Sequence, residues 1–388
     1  MDVKVEVAKL KDELITLRRD FHRHPELGFQ EKRTSQIVET YLKDLGLQVR
    51  RCAGTGVIGV LTGNRPGKTV MLRCDIDALP VTEETGLSFA SENPGVMHAC
   101  GHDSHTAMLL VAAKILAQHR DEVNGTIVFL FQPNEEDAGA EEMVKQGALE
   151  NPRPDAVFGL HIWSPIAVGK IGIIPGPIMA SSYYFKITIH GRGGHGGAPH
   201  TAINPIVTAG HILSAIDSLH ADELNSLKPT VISTCKIHSG VKEIIIPDEL
   251  TMEGSIRCLH DNDDAVRSRF SALVEGICQA YRCTCDIKYV CGNTLLNNDN
   301  AMAKMVADTA AQVVGPENVQ TKDVAVMLGD DFAEFSRRIP GAYFFLGTGN
   351  PQKHTDVEHH NCHFNIDEDS MPIGVAMHVT NALNYLNQ

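Results

Sequence analysis

The chain has a single tryptophan, and aromatic residues make up only 5% of its 388 positions. That scarcity excludes a stacking platform for single-stranded nucleic acid. Positive charge is also in deficit: 34 Lys and Arg stand against 48 Asp and Glu, a net charge of −14. Broad binding to nucleic-acid backbones or anionic membranes needs basic faces, so neither is expected as a partner. No apolar run approaches the length of a membrane span. The opening stretch MDVKVEVAKLKDELITLRRDFHRHPELG is charged throughout and has no apolar export-signal core, so a cytoplasmic location is expected. In that compartment the ten cysteines are expected to be reduced. Even YRCTCDIKYVC (281–291), which looks like a cysteine framework, alternates as a strand does. Cys283, Cys285 and Cys291 are therefore read as core or surface thiols. Internal repeats and low-complexity segments are lacking too.

The length exceeds what one core usually takes, so two domains are expected. Amphipathic patterning predicts helices near 5–22 and 30–46, the second closed by Gly46. Strands follow at GVIGVLTG and TVMLRCDID, then a helix at SHTAMLLVAAKILAQ. GTIVFLFQP and DAVFGLHIW read as strands, the first apolar enough to be buried on both faces. Near residue 182 the pattern changes. Strand YYFKITIH, helix AINPIVTAGHILSAIDSL, strands TVISTCKIHSG and ELTMEGSIRCL, helix DDAVRSRFSALVEGICQAY and strand CTCDIKYV give the order βαββαβ of a ferredoxin-like unit. Helices at 299–314, 331–338 and 367–386 and strand GAYFFLG complete the chain. The expected fold is α/β with two domains: an α/β sandwich (1–181 and 294–388) into which a ferredoxin-like domain (182–293) is inserted.

Two phosphate-binding patterns are set aside. GNRPGKT (63–69) has one residue too few between its glycines for a P-loop and leads into a strand where a P-loop must open a helix; it is read as a hairpin turn. GRGGHG (191–196) matches G-x-G-x-x-G, with Asp217 near the expected downstream acid. But His195 is bulky where backbone should approach a pyrophosphate, and Pro199 and Pro205 interrupt the segment where a helix should start.

Metal-binding side chains recur at the ends of predicted strands. In MHACGHDSHTAMLL (97–110), Cys100 and His102 lie two apart in an extended segment, on one side, able to reach one centre. Asp103 or Ser104 can instead cap the helix, and His105 can simply be solvated. FLFQPNEE ends a strand in Glu135 and Glu136, adjacent carboxylates whose side chains diverge, so that one can bind metal while the other serves as a base; a solvated acidic loop is the alternative. His161 interrupts an apolar strand, and KHTDVEHHNCHF places His354, His359, His360 and His363 in one loop. Taken singly, each has a structural explanation. Together they form a mixed N/O/S donor set that suits Zn²⁺ or its divalent neighbours.

The motifs RRDFHRHPELGFQE, RCDIDALPVTEETG, MHACGHDSHTAMLL, GTIVFLFQPNEE, GRGGHGGAPH, GDDFAEFS and HHNCHFNIDED run nearly end to end. In these the chain resembles the metal-dependent amidohydrolases and metallopeptidases related to aminoacylase, hippurate hydrolase and the auxin-conjugate (IAA-amino acid) hydrolases. The resemblance implies a two-metal catalytic domain with an inserted lid, often used for dimerisation. It implies Cys100, His102, Glu136, His161 and His360 as metal ligands and Glu135 as catalytic base. His195, in the lid, would bind substrate and its developing oxyanion, in some relatives reaching across from the partner subunit. Asp77 and Asp103 would orient ligand histidines, while His105 belongs to the motif without a ligand's role. The chain departs from the family at Cys362, where Pro is usual and where a thiol could perturb or replace a ligand, at Asn134, often Ala, and at Asp330, where Glu is common.

The implied activity is hydrolysis of N-acyl-L-amino acids, with two divalent ions (Zn²⁺ first, or Mn²⁺, Ni²⁺ or Co²⁺), a small-molecule substrate and a homodimer built through the lid. A deacetylase of the diaminopimelate type, or a small carboxypeptidase, would use the same fold. A metal-bound but inactive binding module would be expected to lack Glu135 or His195, and both are present.

Overall fold

A computed structural model describes residues 1–388. The chain divides into two compact units, Met1–Ile178 with Leu296–Ala325 and Asp330–Gln388, and Met179–Leu295 with Val326–Gly329. The boundaries expected at 181/182 and 293/294 thus fall at 178/179 and 295/296. Residues 326–329 join the second unit because Arg257 Nη1 donates to Met327 O at 3.1 Å and Ala180 N to Leu328 O at 2.8 Å.

The first unit opens with α1 (Val3–Lys9), α2 (Lys11–Arg23) and α3 (Lys32–Asp44). The single helix expected over 5–22 is two, because Leu10 leaves helical geometry at φ −106°, ψ 7°. Next come β1 (Gln48–Cys52), β2 (Gly56–Thr62), β3 (Arg65–Asp75), α4 (His102–Gln118), β4 (Asn124–Gln132), α5 (Gly139–Lys145), β5 (Ala156–Ala167), β6 (Ile171–Gly172) and, at the boundary, β7 (Gly176–Met179). The second unit contributes β8 (Ser181–His190), β9 (Gly194–His195), α6 (Pro205–Ser218), β10 (Thr230–Ser239), β11 (Ile245–Ile246), β12 (Glu249–Cys258), α7 (Asp263–Ala280) and β13 (Thr284–Cys291). The chain then returns to the first through β14 (Leu296–Asn298), α8 (Asn300–Val314), β15 (Val319–Gln320), α9 (Ala333–Ser336), β16 (Gly341–Gly349) and α10 (Met371–Leu386). The helix expected over 331–338 shrinks to α9, and α10 starts only after a 3₁₀ turn at Glu368–Ser370.

The first unit is built on a mixed sheet ordered β1-β2-β4-β3-β5-β16-β6-β15. β3, β4, β5 and β16 run parallel to their neighbours in this group, as strands joined by helical crossovers do. β4 lies between β2 and β3 and is buried from Ile127 to Gln132, which accounts for its unbroken apolar run. α4 is buried almost all round and packs against α2, α10 and β3. GNRPGKT is not a hairpin turn. β2 and β3 do not pair, and the segment instead steps past the start of β4, where Gly63 N donates to Gly125 O at 2.9 Å.

The sheet of the second unit is ordered β10-β12-β8-β13 and is antiparallel throughout, with α6 and α7 as its helices. This is the ferredoxin-like βαββαβ arrangement. Phe185, Ile187 and Ile189 of β8 share a core with Ile212, Phe270 and Val274. No helix follows GRGGHG directly: its last residues form β9, paired with β11, and α6 begins at Pro205 after a 3₁₀ turn. All ten cysteines are free, and no helix is long and apolar enough to cross a membrane.

Candidate metal centre

The loops after β3 and β4, the start of α4, a residue within β5 and the segment after β16 converge on one cluster of donors. Parallel strands end on one edge of the sheet, the place where open α/β sheets bind ligands. Gly101, the N-cap of α4, has φ 84°, and a Cβ there would lie 2.2 Å from Ile162 Cδ1. Only glycine meets both conditions, and it carries the backbone from Cys100 into His102 without displacing β5.

His102 Nδ1 lies 3.1 Å from Asp77 Oδ1 and 3.0 Å from Asp77 O, while its buried Nε2 has no hydrogen-bond partner. Asp77 Oδ2 also accepts the amide of Glu136 at 3.2 Å. Burial disfavours a charged His102, yet Asp75 and Asp77 raise its pKa to about 10. The Cys100 thiol is pushed well up by burial and by the nearby Glu136 and Glu135 carboxylates. His161 Nδ1 lies 2.5 Å from its neighbour's carbonyl, Ile162 O, which leaves Nε2 as the free lone pair, 3.4 Å from Cys100 Sγ. Burial, then His105 and His359, push the His161 pKa well down, so its ring is neutral.

Glu135 and Glu136 sit in a 3₁₀ turn between Asn134 (φ 53°) and Ala138 (φ 63°), two non-glycine residues in the left-handed region. Such geometry is costly and persists only where surroundings impose it. Here Asn134 N donates to Glu31 Oε1 at 3.0 Å, and Thr55 holds the other Glu31 oxygen at 2.6 Å. Glu135 is buried, and its carboxyl is pushed well above the usual range by burial and by Asp330, Glu136 and Asp331. Glu136 Oε1 is buried without a hydrogen bond, 3.3 Å from His360 Nε2. His360 itself has φ 65°, and its amide donates to Ala99 O at 2.8 Å.

The donor atoms fall into two triads sharing Cys100: Cys100, His102 and His161, and Cys100, Glu136 and His360, each with its atoms within 4.8 Å of one another. Glu135 joins His102 and Glu136 in another such group. The unpartnered His102 Nε2 and Glu136 Oε1, buried and surrounded by acids, are what a cation site requires. His195 belongs to the second unit, exposed on β9, where its Nδ1 accepts Gly197 N at 3.0 Å.

Three possibilities left open by the sequence are not realised. Asp103 neither caps α4 nor orients a ligand histidine: it binds Arg18 Nε at 3.1 Å and His22 Nδ1 at 2.8 Å, all three buried. Those basic partners lie on α2, and sequence spacing cannot show them. His105 is not solvated but fully buried, with Nδ1 2.6 Å from Asp75 Oδ1 and Nε2 accepting Ile162 N at 3.0 Å. Both its nitrogens are engaged, so in the group Asp75, His102 and His105, although its donor atoms are close enough for a cation, only His102 keeps an unpartnered ring nitrogen. Cys362 replaces no ligand, since its Sγ faces Glu84 Oε2 at 3.7 Å rather than the Cys100 group.

Residues that sequence reading missed lie beneath the centre. Buried Arg73 binds Asp75 Oδ2 at 2.7 Å, Gln132 Oε1 at 2.8 Å and Asp331 Oδ1 at 3.1 Å. Asp331 in turn accepts Ala140 N at 2.8 Å. An arginine inside the apolar strand TVMLRCDID was the available signal, because a buried guanidinium needs several acceptors.

The sequence matches the model of peptidase family M20/M25/M40 over residues 71–384. It is 40% identical over 397 residues to thermostable carboxypeptidase 1 of Saccharolobus solfataricus, covering 100% of this chain and 98% of that one. It is 41% identical over 292 residues to the N-acyl-L-amino acid amidohydrolase of Geobacillus stearothermophilus, covering 74% and 78%. Its fold is similar to that of a dinuclear metal-binding M20-family peptidase from Bacillus subtilis, with a TM-score of 0.86, 32% identity, and 98% and 99% of the two chains covered.

Proposed function

This chain belongs to peptidase family M20/M25/M40 and is a hydrolytic enzyme, and from that premise we propose that it cleaves the amide bond of N-acyl-L-amino acids. The observation that carries the reading is the pair of donor triads sharing Cys100, with the Glu135 carboxyl beside them. Cys100, His102 and His161 would hold one divalent ion and Cys100, Glu136 and His360 a second, Zn²⁺ first among the metals that suit thiolate, imidazole and carboxylate. Bound there, the ions would supply Lewis acidity and lower the pKa of water from about 15.7 toward about 7.

The chain's own groups do the rest. Asp77 fixes the His102 ring so that Nε2 faces the centre. Glu135 takes the proton of the attacking water on a carboxylate oxygen and hands it to the leaving nitrogen. In His195 the Gly197 amide occupies Nδ1, which leaves the ring proton on Nε2. That N–H would donate to the carbonyl oxygen as charge develops.

A homodimer through the second unit is part of this reading. β10 is an edge strand with Val231 and Ile237 exposed, and α6 exposes Ile206, Val207 and Leu213. The ten unpaired cysteines support a cytoplasmic setting. A second reading, a small carboxypeptidase, is favoured by the carboxypeptidase relative, while an N-acetyl-diaminopimelate-type deacetylase would use the same groups.

The test is a hydrolysis panel of N-acetyl, N-benzoyl and indoleacetyl amino acids beside short peptides, with Zn²⁺, Mn²⁺, Co²⁺ or Ni²⁺ restored in turn. Turnover of acyl amino acids above peptides is expected. The reverse order would establish the carboxypeptidase, and no turnover with any metal an inactive binding module.

A further inference from the structure

Another set of metal-ligating side chains lies apart from the Cys100 group. Cys362, His363 and Glu84 bring a thiol, an imidazole and a carboxylate together, their donor atoms all within 4.8 Å of one another. Cys362 Sγ is 3.7 Å from Glu84 Oε2, and His363 Nε2 is 3.6 Å from the same oxygen. Zn–S, Zn–N and Zn–O bonds of about 2.3, 2.1 and 2.0 Å at tetrahedral angles would put these atoms about 3.5 and 3.3 Å apart. Both distances to Glu84 are thus within a few tenths of an ångström of ligand spacing before any cation binds.

The backbone has already set the geometry. Glu84 N donates to Cys362 O at 2.9 Å, and His363 N to Asn361 Oδ1 at 2.9 Å. His363 Nδ1 lies 2.9 Å from Glu84 O, a carbonyl that can only accept, so the ring proton sits on Nδ1 and Nε2 carries the lone pair. This carbonyl-fixed tautomer is the arrangement that orients metal-ligating histidines. A plain surface ion pair between His363 and Glu84 would need neither the thiol nor the unprotonated Nε2. Glu84 and His363 have side chains 61% and 56% exposed, so a cation can enter and a water can complete its coordination.

We propose that Cys362, His363 and Glu84 form a further, exchangeable Zn²⁺ site, separate from the donors around Cys100. Thiolate with imidazole selects Zn²⁺ over Mg²⁺ or Ca²⁺. The bound ion joins the segment around Glu84 to the loop that presents His360, and so stiffens that loop.

The experiment reads alkylation of Cys362 in the full-length protein. The protein is treated with iodoacetamide across a Zn²⁺ titration, and the Cys362 peptide is quantified by mass spectrometry. Zinc is expected to slow the reaction by about tenfold at ten times the dissociation constant, because only the unliganded fraction reacts. His363→Ala and Glu84→Ala, surface changes checked for folding by thermal melting, are expected to remove that protection. Cys100→Ala is expected to keep it, so failure at the Cys100 group and failure here give different results. An unchanged Cys362 rate with zinc in the wild type, or full protection in His363→Ala, overturns the site.

Discussion

His105 Nδ1 lies 2.6 Å from Asp75 Oδ1, and the other side of the same ring accepts the amide of Ile162 at 3.0 Å. The ring therefore carries its proton on Nδ1 and links the end of β3 to β5 directly beside His161. Arg73 holds the other Asp75 oxygen at 2.7 Å, and the pull of His102, His105 and Arg73 against the cost of burial keeps that carboxyl well below its usual range. The link implies positioning rather than ligation. His105→Ala is expected to weaken metal binding about 10- to 100-fold, the usual effect of losing a group that orients a ligand. Isothermal titration of the metal-free protein measures this, and unchanged affinity would show that β5 holds His161 unaided.

Cys100 occurs in both donor triads and His161 in one. Cys100→Ala is accordingly expected to impair both metal positions, while His161→Ala spares the one that uses Glu136 and His360. Elemental analysis of the purified variants gives the stoichiometry. Equal losses in the two would mean that Cys100 is not shared.

Glu135 is buried beside the triads but is not one of the donors assigned to either ion. Glu135→Gln keeps the shape and removes the proton acceptor. Hydrolysis is expected to fall by about 10²- to 10⁴-fold with metal content unchanged. Full turnover by the metal-loaded variant would assign the proton transfer elsewhere.

How much of this was legible follows from the kind of signal each residue leaves. Strand β4 announces itself by an apolar run, and the βαββαβ unit by alternation and amphipathic spacing, because these patterns are local. Cys100, His102, Glu135 and Glu136 stand out for the same reason: each pair lies within two positions in sequence. Asp103 was misread because a carboxylate beside a helix start is locally indistinguishable from a cap. Its role is set by Arg18 and His22, brought in from α2. The hairpin at GNRPGKT failed similarly, since β4, which separates β2 from β3, lies later in the chain.

The Asp103 correction makes its own prediction. Asp103 pairs with Arg18, both side chains only 1% exposed, and Arg18 also reaches Glu368 and Asn365. Asp103→Ala leaves a buried guanidinium partly uncompensated, at an expected cost of about 3–5 kcal/mol. Metal stoichiometry should be retained. Denaturant unfolding beside elemental analysis checks both halves, and loss of metal without loss of stability would return Asp103 to the ligand-orienting role.

His378 on α10 supplies a pH dependence whose sign is fixed. It is fully buried, neither ring nitrogen has a hydrogen-bond partner, and burial, with a smaller push from His105, lowers its pKa from 6.5 to about 3. The folded chain thus keeps this ring neutral down to about pH 3, whereas the unfolded chain takes up the proton below about 6.5. Stability linked to His378 is complete above about pH 6.5 and is lost as pH falls toward about 3, by at most about 1.4 kcal/mol per pH unit. His98, held down to about 4 by burial, adds loss of the same sign. His378→Leu removes the titrating group and supplies the apolar contact that the site favours. Its melting temperature is expected to fall less than the wild type's between pH 7 and pH 5, and parallel decline of the two curves would mean that His378 is already paired or hydrated in the folded protein.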